Sequence, residues 1–519
     1  MCWFGNRALP FAILVAATGA AIQKAIKSFG GQGKAIVLQE KHEQDFVHKA
    51  DDGLANEDSI SRLPDDLLSD VLSRLDLIEA VGTRILSRRW KNVCKVRSEL
   101  HLDCLDMFRP NCSHDMGSHW VQFRFLEAVD QSLQLYSGQS ITYLRISCCF
   151  MKEFEPKFTQ WMQVVATLDV QELDLKFICS SLPLCQCAKS NMGELFPVSF
   201  RLLTAVATMK HLRLLACSLQ PSFPTQFNSL EGLYLDLVHL SDGELPRMLS
   251  SCVNLQTLRL GFCKLTPKLS ISGPCLQLKF LYVHSCPGLE EIDICAGNLI
   301  TFSFFHNGPI KFSLCVPKLE DARITFTGNG SIPYFFGEVL KDCPKLKNLL
   351  FQTHSDKLQY TPGKMDMFSN LRTLYFVPGM RSPPDLLNVV PILEACPHLE
   401  EFRLQLLCRG FNEERGREWP PRRLGQLKEV EFNGFHGTVN EIHFATYLVK
   451  NAPALERLWI RSPYRFYCDD YHLETGGGWY RDERVDTLHE ELMMQAVSSK
   501  LQVNIVRSPR TELRICGRE

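Results

Sequence analysis

Three short clusters contain residue types that could bind a metal ion or a phosphate group. The stretch His489 to Met493 (HEELM) begins like the zinc-binding helix of a metalloprotease but lacks the second histidine that would complete the metal site. Neither Gly476 to Gly478 nor Gly30 to Lys34 is followed by the Ser or Thr of a phosphate-binding loop. The sequence therefore predicts no catalytic, metal-binding or cofactor-binding residues, no cofactor and no enzymatic activity.

The 21 cysteines are spread through the chain without the dense spacing of a disulfide framework, which favours a reduced, intracellular protein. Cys252, Cys286, Cys343 and Cys396 each stand three residues before a leucine. A small buried side chain suits that recurring position, so we predict packing roles for these four. Metal or redox chemistry is the alternative.

The 57 basic and 58 acidic residues give a net charge of -1, which predicts no nucleic-acid partner and no attraction to anionic membranes. Ala8 to Gln23 is apolar and resembles a signal peptide, yet it is short for a membrane span. We interpret it as an apolar leader of a soluble protein, with targeting or membrane anchoring as the alternative. The sequons at Asn111 and Asn329 do not decide between the two.

The pattern L-x-x-L-x-L recurs along the chain, as in Leu255-Gln-Thr-Leu258-Arg-Leu260. Most intervals are about 20 to 29 residues, the range of leucine-rich repeats, in which stacked parallel strands share one core. Two half-length intervals flank Ile292 and predict tight turns. Returns, either helical or irregular, are predicted at Pro246 to Cys252 and at Leu386 to Cys396. The middle apolar residues are Leu144, Leu173, Leu212, Leu233, Leu258, Leu281, Ile292, Phe302, Ala322, Leu349, Leu374, Phe402, Val430 and Leu458.

The residue between the last two apolar positions of each repeat should face the concave surface, because side chains alternate along a strand. These residues are Arg145, Asp174, Arg213, Tyr234, Arg259, Tyr282, Asp293, Ser303, Arg323, Leu350, Tyr375, Arg403, Glu431 and Trp459. Nine of the fourteen are Arg, Tyr or Trp, against about one residue in ten in the whole chain, and these types dominate protein-binding hot spots. We predict target binding at Arg259, Tyr282, Arg323, Tyr375 and Arg403, to acidic or phosphorylated groups. Alternatively, Tyr and Trp simply suit strands and Arg keeps the sheet soluble.

A compact helical module is predicted from Asp58 to Lys95. Pro64 suits the first turn of a helix, and Asp65 and Asp66 complement its positive end. Leucines and a valine follow on one face of that helix, while Asp76 and Ser87 can cap a second and a third helix. Three such short helices cannot bury all of these leucines, so part of the apolar face should dock on a partner.

These residues resemble the plant F-box, through Ile60, Leu63, Pro64, Asp65, Leu67, Leu68, Leu72, Leu75, Glu79, Ala80, Val81, Thr83, Leu86, Ser87, Arg89 and Trp90. The resemblance implies binding to the Skp adaptor of a cullin-based ubiquitin ligase, in which other subunits perform the chemistry. Asp76 replaces the usual proline, and Arg84 replaces the usual serine, which could weaken or bias adaptor choice. The implied adaptor-binding residues are Leu63, Pro64, Leu67, Leu68, Val71, Leu72, Leu75, Ala80, Val81, Leu86 and Trp90.

The stretch from Leu427 to Ile460 resembles the FBD region that follows the repeats in many plant F-box proteins. Its residue types alone predict a strand, a glycine-containing turn, a helix from about Val439 to Lys450 and another strand. The matching residues are Gly434, Phe435, Gly437, Glu441, Leu448, Lys450, Asn451, Ala452, Pro453, Leu455 and Glu456.

Together these features predict an α/β protein with a three-helix F-box, an irregular leucine-rich repeat solenoid with its parallel strands on the concave face, and a C-terminal FBD cap. We expect a leader at 1–57, the F-box at 58–97, a transitional segment at 98–140, repeats at 141–410 and the FBD region with the tail at 411–519. The predicted function is substrate recognition for a ubiquitin ligase in the nucleus or cytoplasm, without a membrane. A repeat scaffold that assembles no ligase is the main alternative, ahead of an enzyme or a membrane-anchored receptor.

Overall fold

The computed structural model divides the chain into two compact units, which are Met1–Phe196 with Ala205–Met209, and Pro197–Thr204 with Lys210–Glu519. Among the residues it describes, no helix is both long and apolar enough to span a membrane. The predicted leader lies outside those residues. The structure describes residues 63–73, 83, 87–93, 98–104, 119–135, 141–148, 152–178, 195–220, 227–241, 243–272, 277–306, 308, 310–326, 336, 339–340, 343–353, 368–378, 386–406, 423–462 and 482–506.

The first unit combines helices with three parallel strands in the order β1-β2-β3. In β2, buried leucine and isoleucine alternate with more exposed residues, so one face of the strand packs into the core. The repeat pattern predicts the first strand at Leu144, but the structure contains an earlier strand around Leu100. Its single L-x-L pair is enough to form a strand because β2 lies beside it. The elements are α1 (Asp65–Ser73), α2 (Arg88–Val93), β1 (Glu99–Asp103), α3 (His119–Leu135), β2 (Tyr143–Ser147), α4 (Glu155–Val165) and β3 (Glu172–Lys176), with a 3-10 turn at Lys152–Phe154.

The second unit contains a parallel sheet whose order is β5-β7-β8-β10-β12-β14-β15-β16-β17-β18-β19-β20. The predicted markers, such as Leu258, Leu281 and Phe302, are opposite one another on neighbouring strands and are fully buried. The repeats therefore share one continuous apolar core. Its strands are β5 (His211–Leu215), β7 (Gly232–Asp236), β8 (Thr257–Gly261), β10 (Phe280–His284), β12 (Thr301–His306), β14 (Asp321–Phe326), β15 (Asn348–Thr353), β16 (Thr373–Val377), β17 (Glu401–Gln405), β18 (Glu429–Asn433), β19 (Arg457–Arg461) and β20 (Gln502–Val506).

The strands of a second parallel sheet, in the order β13-β11-β9, alternate along the chain with strands of the first sheet. The prediction that Ile292 marks a short repeat of the main sheet is wrong, because Ile292 pairs with Leu269 and Phe312 in this second sheet. β10 pairs directly with β12, so the two half-length intervals form one repeat with a strand on its return path. The second sheet comprises β9 (Lys268–Ser272), β11 (Glu291–Cys295) and β13 (Lys311–Cys315), and a separate pair joins β4 (Phe196–Ser199) to β6 (Cys217–Gln220).

Helices lie on several other returns of the second unit that the structure describes. The two predicted at Pro246 to Cys252 and at Leu386 to Cys396 are confirmed, the latter as a 3-10 turn at Leu386–Val389 continuing into a helix. All four cysteines predicted to pack before a leucine are buried, and burial raises the pKa of the Cys252 and Cys396 thiols to about 12. The helices are α5 (Phe200–Thr204), α6 (Glu244–Ser251), α7 (Val390–Glu394), α8 (Val439–Asn451) and α9 (Asp482–Gln495).

The predicted strand, turn, helix and strand near the C-terminus are confirmed as β18, α8 and β19. Thr438 and Glu441 form a capping box at the start of α8, in which the Glu441 backbone N–H donates to the Thr438 hydroxyl and the Thr438 N–H donates to the Glu441 carboxylate. Gly434 makes the turn before it with φ +81°, where a Cβ atom would lie 2.2 Å from the Leu406 carbonyl oxygen. Only glycine fits that position without strain.

Candidate binding surfaces

The N-terminal helical module has a small core of its own. Leu68, Val71 and Leu72 on α1 pack against Trp90 and Val93 on α2. Trp90 is 1% exposed, and its backbone N–H donates to the Ser87 hydroxyl that was predicted to cap this helix. These apolar side chains are therefore already used to hold α1 against α2.

Leu67 differs from its neighbours because 45% of its surface remains exposed, whereas Leu68 is fully buried. Pro64 is also exposed, and Leu63 is half-buried against the core. Leu67 lies at the start of α1, one residue from the core face. An exposed leucine beside a packed core is a candidate contact point for another protein.

An ion pair ties the same end of α1 to α2. Arg89 Nε donates to the Asp65 carboxylate at 2.7 Å, and another guanidinium nitrogen of Arg89 donates to the Leu63 carbonyl oxygen. Both side chains are more than one third exposed, so the pair contributes little stability and mainly orients the turn that presents Leu67.

The structure sorts the predicted adaptor-binding residues into two groups. Leu68, Val71, Leu72 and Trp90 belong to the module's core, and their contact with an adaptor stays a prediction. Leu63, Pro64 and Leu67 reach the surface to different extents. Leu75, Ala80, Val81, Leu86, Asp76 and Arg84 lie outside the described residues, as does the predicted second helix.

In the second unit, the residues predicted to face away from the core lie opposite one another on neighbouring strands. We call this set the central row. Each of its members separates two core-facing residues of its strand, and only Ser303 among them is buried. The central row consists of Arg213, Tyr234, Arg259, Tyr282, Ser303, Arg323, Leu350, Tyr375, Arg403, Glu431, Trp459 and Asn504.

The first part of the central row combines arginine with aromatic rings. The Arg213 guanidinium lies over the Tyr234 ring at 4.7 Å from its centroid. Arg259 pairs with Asp236 of the neighbouring strand at 3.4 Å. Burial, followed by the positive charge of Arg259, lowers the pKa of His284, so this imidazole is neutral at pH 7.

The last part of the central row is an ion-paired network. The Glu431 carboxylate forms ion pairs with the Nε atoms of Arg403, at 3.5 Å, and of Arg461, at 3.2 Å. Arg461 in turn lies over the Trp459 ring, with 5.5 Å between the guanidinium carbon and the ring centroid. The Tyr375 hydroxyl is within 3.3 Å of the Gln405 amide oxygen.

These contacts change the partner chemistry that the arginines alone suggested. The charges of Arg259 and Arg403 are offset by Asp236 and Glu431, so neither is a free cation. Arg323, by contrast, is exposed and forms no ion pair with any residue that the structure describes. At Arg323 the central row therefore offers an unpaired cation, close to tyrosine rings and to the ion-paired Arg259 and Arg403.

Some residues of this surface were not predicted. Asn504 ends the central row on β20, where the sequence Gln502 to Val506 lacks the leucine signature, and Asp236 and His284 occupy the outward position two residues further along their strands. Asp293, which was predicted for this surface, lies instead on the second sheet.

In the first unit, the corresponding position holds a small buried network. Asp174 is 3% exposed and accepts from Arg145 at 2.8 Å and from the Tyr143 hydroxyl at 3.0 Å. Burial and the neighbouring Asp174 charge raise the pKa of Tyr143 to about 12. This carboxylate is satisfied within the protein, so the network serves to join β2 to β3.

Across the described ranges, no group of three or more His, Cys, Asp or Glu side chains is arranged to hold a metal ion. His489, which begins the HEELM motif, is exposed on α9.

A small helical module with an exposed leucine, followed by stacked parallel strands with a leucine-rich core, defines an F-box protein with leucine-rich repeats. Residues 60–102 match the F-box domain family, and residues 132–472 match the family described as "At1g61320/AtMIF1, LRR domain". The second match covers more than half of the chain, so the chain belongs to this leucine-rich repeat family.

The curated relatives share both parts. The chain is 24% identical over 444 residues to the F-box/LRR-repeat protein At5g38396 of Arabidopsis thaliana, covering 78% of this chain and 91% of the relative. It is 26% identical over 427 residues to the F-box/FBD/LRR-repeat protein At3g52680 of the same plant, covering 77% and 84%. The predicted resemblance to plant F-box, repeat and FBD proteins is thereby confirmed.

Proposed function

We propose that the chain is a non-catalytic substrate-recognition subunit of a cullin-based ubiquitin ligase. In this proposal the F-box binds a Skp-type adaptor, and the central row binds a target protein in the nucleus or cytoplasm. The observation that carries the proposal is the F-box match together with Leu67, which α1 leaves exposed. Leu68 and Leu72 of the same helix are buried in the module's core, so Leu67 is the leucine of α1 that a partner can cover.

The adaptor contact is tested by binding of the purified full chain to a purified Skp-type adaptor. Leu67→Asp should abolish binding, because it would place an unpaired carboxylate in an apolar contact. Met494→Asp is the matched control, since Met494 is an exposed apolar residue on α9, far along the chain from the F-box, and should leave binding unchanged. If the unaltered chain binds no adaptor in calorimetry, the ligase proposal fails and a repeat scaffold without a ligase takes its place.

Target binding is proposed for Arg259, Tyr282, Arg323, Tyr375 and Arg403 of the central row. The aromatic rings supply apolar area and hydrogen-bonding groups, and the unpaired Arg323 supplies a contact for one acidic or phosphorylated group. The ion-paired arginines, Arg259 and Arg403, contact the target mainly through their methylene stems and the flat faces of their guanidinium groups.

The target site is tested by co-purification from the native tissue, with Leu67→Asp added so that the captured target is not degraded. Replacing Arg259, Tyr282, Arg323 and Tyr375 with Ala should remove the target from the captured set, and Arg323→Ala alone should weaken its capture. Lys311→Ala, which removes an exposed cation from the second sheet, is the control. An unchanged set of partners for the quadruple variant, with a native circular dichroism spectrum, would locate recognition elsewhere.

The FBD resemblance adds a proposed cap at the C-terminal end. α8 packs against α9 and buries Phe444, Ala445 and Leu448, while β18, β19 and β20 extend the main sheet. We propose that this region closes the core of the repeats. Its removal should therefore expose the apolar edge of the preceding repeat and cause aggregation, measurable by light scattering.

A further inference from the structure

Two of the cysteines differ from the rest in their exposure. Of the ten cysteines that the structure describes, eight are buried, and only Cys295 and Cys315 are exposed. Both lie at the ends of neighbouring strands of the second sheet, β11 and β13. The contacts proposed for adaptor and target binding do not involve either residue.

The pairing register places these two thiols side by side. Cys295 and Cys315 are directly opposite each other on parallel strands, so their side chains emerge on the same face of the second sheet. Neighbouring strands lie about 4.8 Å apart, within the Cα separation of roughly 4.4 to 6.8 Å that a disulfide requires. A hydrogen bond between the two thiols, followed by the charge of Cys315, raises the pKa of Cys295, as expected for sulfurs placed side by side by the register.

The buried cysteines provide an internal comparison. Cys217, Cys263 and Cys286 also lie near one another, but inside the core of the repeats. Burial raises the pKa of Cys263 to about 12 and that of Cys286 to about 11, and the Cys263 thiol donates to the Leu235 carbonyl oxygen. Without access to solvent or a thiolate, these three are inert.

We propose that Cys295 and Cys315 form a redox-active dithiol, a modification site that a small-molecule disulfide such as glutathione disulfide converts into an intramolecular disulfide between β11 and β13. Exposure allows the oxidant to reach the sulfurs, and the register presents the second thiol to the first. No other pair of described cysteines combines both properties.

The reaction proceeds in two exchange steps. The thiolate of one cysteine attacks glutathione disulfide, forming a mixed disulfide and releasing one glutathione thiolate, which takes up the proton that the cysteine lost. The neighbouring thiol then loses its proton and attacks the protein sulfur of the mixed disulfide, releasing a second glutathione. The two protein thiols are oxidised by two electrons, and one glutathione disulfide is reduced to two glutathione molecules.

Because the pKa of Cys295 is raised, its thiolate is scarce at neutral pH, and the exchange should become faster as the pH rises. The dithiol makes the second sheet responsive to an oxidising change without involving the buried thiols.

The test is peptide mapping of the full chain after incubation in a glutathione buffer rich in the disulfide form, with free thiols trapped by N-ethylmaleimide. Digestion with trypsin and a glutamate-specific protease separates Cys295, in fragment 292–311, from Cys286 and from Cys315, in fragment 312–318. We expect these two fragments to be joined in most molecules and to separate after reduction with dithiothreitol. Free thiols, separate glutathione adducts or links to other cysteines at these positions would overturn the proposal.

Two variants test the geometry directly. Cys315→Ser should stop at a glutathione adduct on Cys295, because the second thiol is missing. The second variant combines Ser272→Cys with Cys315→Ser, and also carries Cys275→Ser to remove a cysteine close to position 272. Ser272 is opposite Cys295 on β9, the other neighbour of β11, so this variant moves the thiol pair by one strand. A bond between positions 272 and 295 is then expected, and failure to form it while the unaltered chain forms its own would show that register is not the cause.

Discussion

Leu67 and Leu68 are neighbours on one helix, yet the structure predicts that their replacement has different consequences. Leu67 is 45% exposed and Leu68 is 0% exposed. Burying a whole leucine side chain is worth about 1.5–3 kcal/mol, so covering the exposed part of Leu67 with an adaptor contributes about 1 kcal/mol. Leu67→Ala should therefore weaken adaptor binding roughly fivefold.

The same change at Leu68 removes core packing. Leu68→Ala should lower the free energy of unfolding of the module by about 2–5 kcal/mol, because the cavity beside Trp90 cannot close completely. Leu67→Ala should leave that stability almost unchanged. Calorimetric titration of the full chain with a Skp-type adaptor measures the first effect, and hydrogen exchange of the peptide covering 63–73 measures the second. Equal binding by Leu67→Ala and the unaltered chain, with α1 protected in both, would refute this division of roles.

Four further substitutions test other parts of the second unit. Thr438→Ala removes the hydroxyl that caps α8 and should lower stability by about 0.5–2 kcal/mol, seen as a lower melting temperature. Gly434→Ala and Gly288→Ala both strain a backbone with positive φ, which costs about 1–2 kcal/mol each. Only Gly434→Ala also places a Cβ against a carbonyl oxygen, so it should lower the free energy of unfolding, measured in urea, clearly more than Gly288→Ala does. Because the pKa of His284 is lowered in the folded chain, the unfolded chain takes up its proton first as the pH falls below about 6.5, and stability should decline there; His284→Gln should reduce that decline, and an unaltered pH dependence would contradict it.

Local signals predicted much of the fold. The helix expected from Val439 to Lys450 is present and ends one residue later, at Asn451. It could be predicted because its capping box and apolar spacing are encoded within a few neighbouring residues. The strands around Leu258 and Leu458 follow their repeat pattern for the same reason. Such signals need no information about distant parts of the chain.

The remaining features depend on the path of the chain. Ile292 lies in the sequence Glu-Ile-Asp-Ile, which has the alternation of any main-sheet strand, and nothing within those residues assigns it to the second sheet. Likewise, Leu67 and Leu68 are both apolar positions of one helix, and only the location of Trp90 decides which of them becomes core. The ion pairs that neutralise Arg259 and Arg403 join different strands and become visible only once the register is known.

The intervals between strands of the main sheet are unequal, although the central row stays in register. β12 and β14 are separated by a much shorter stretch than β14 and β15, yet Ser303, Arg323 and Leu350 remain opposite one another. Each strand is positioned by its immediate neighbours, so a stretch between strands can gain or lose residues without displacing the row. The length of these stretches and the identity of single row residues can therefore change independently, so the surface of the sheet and the loops around it can be altered one without the other.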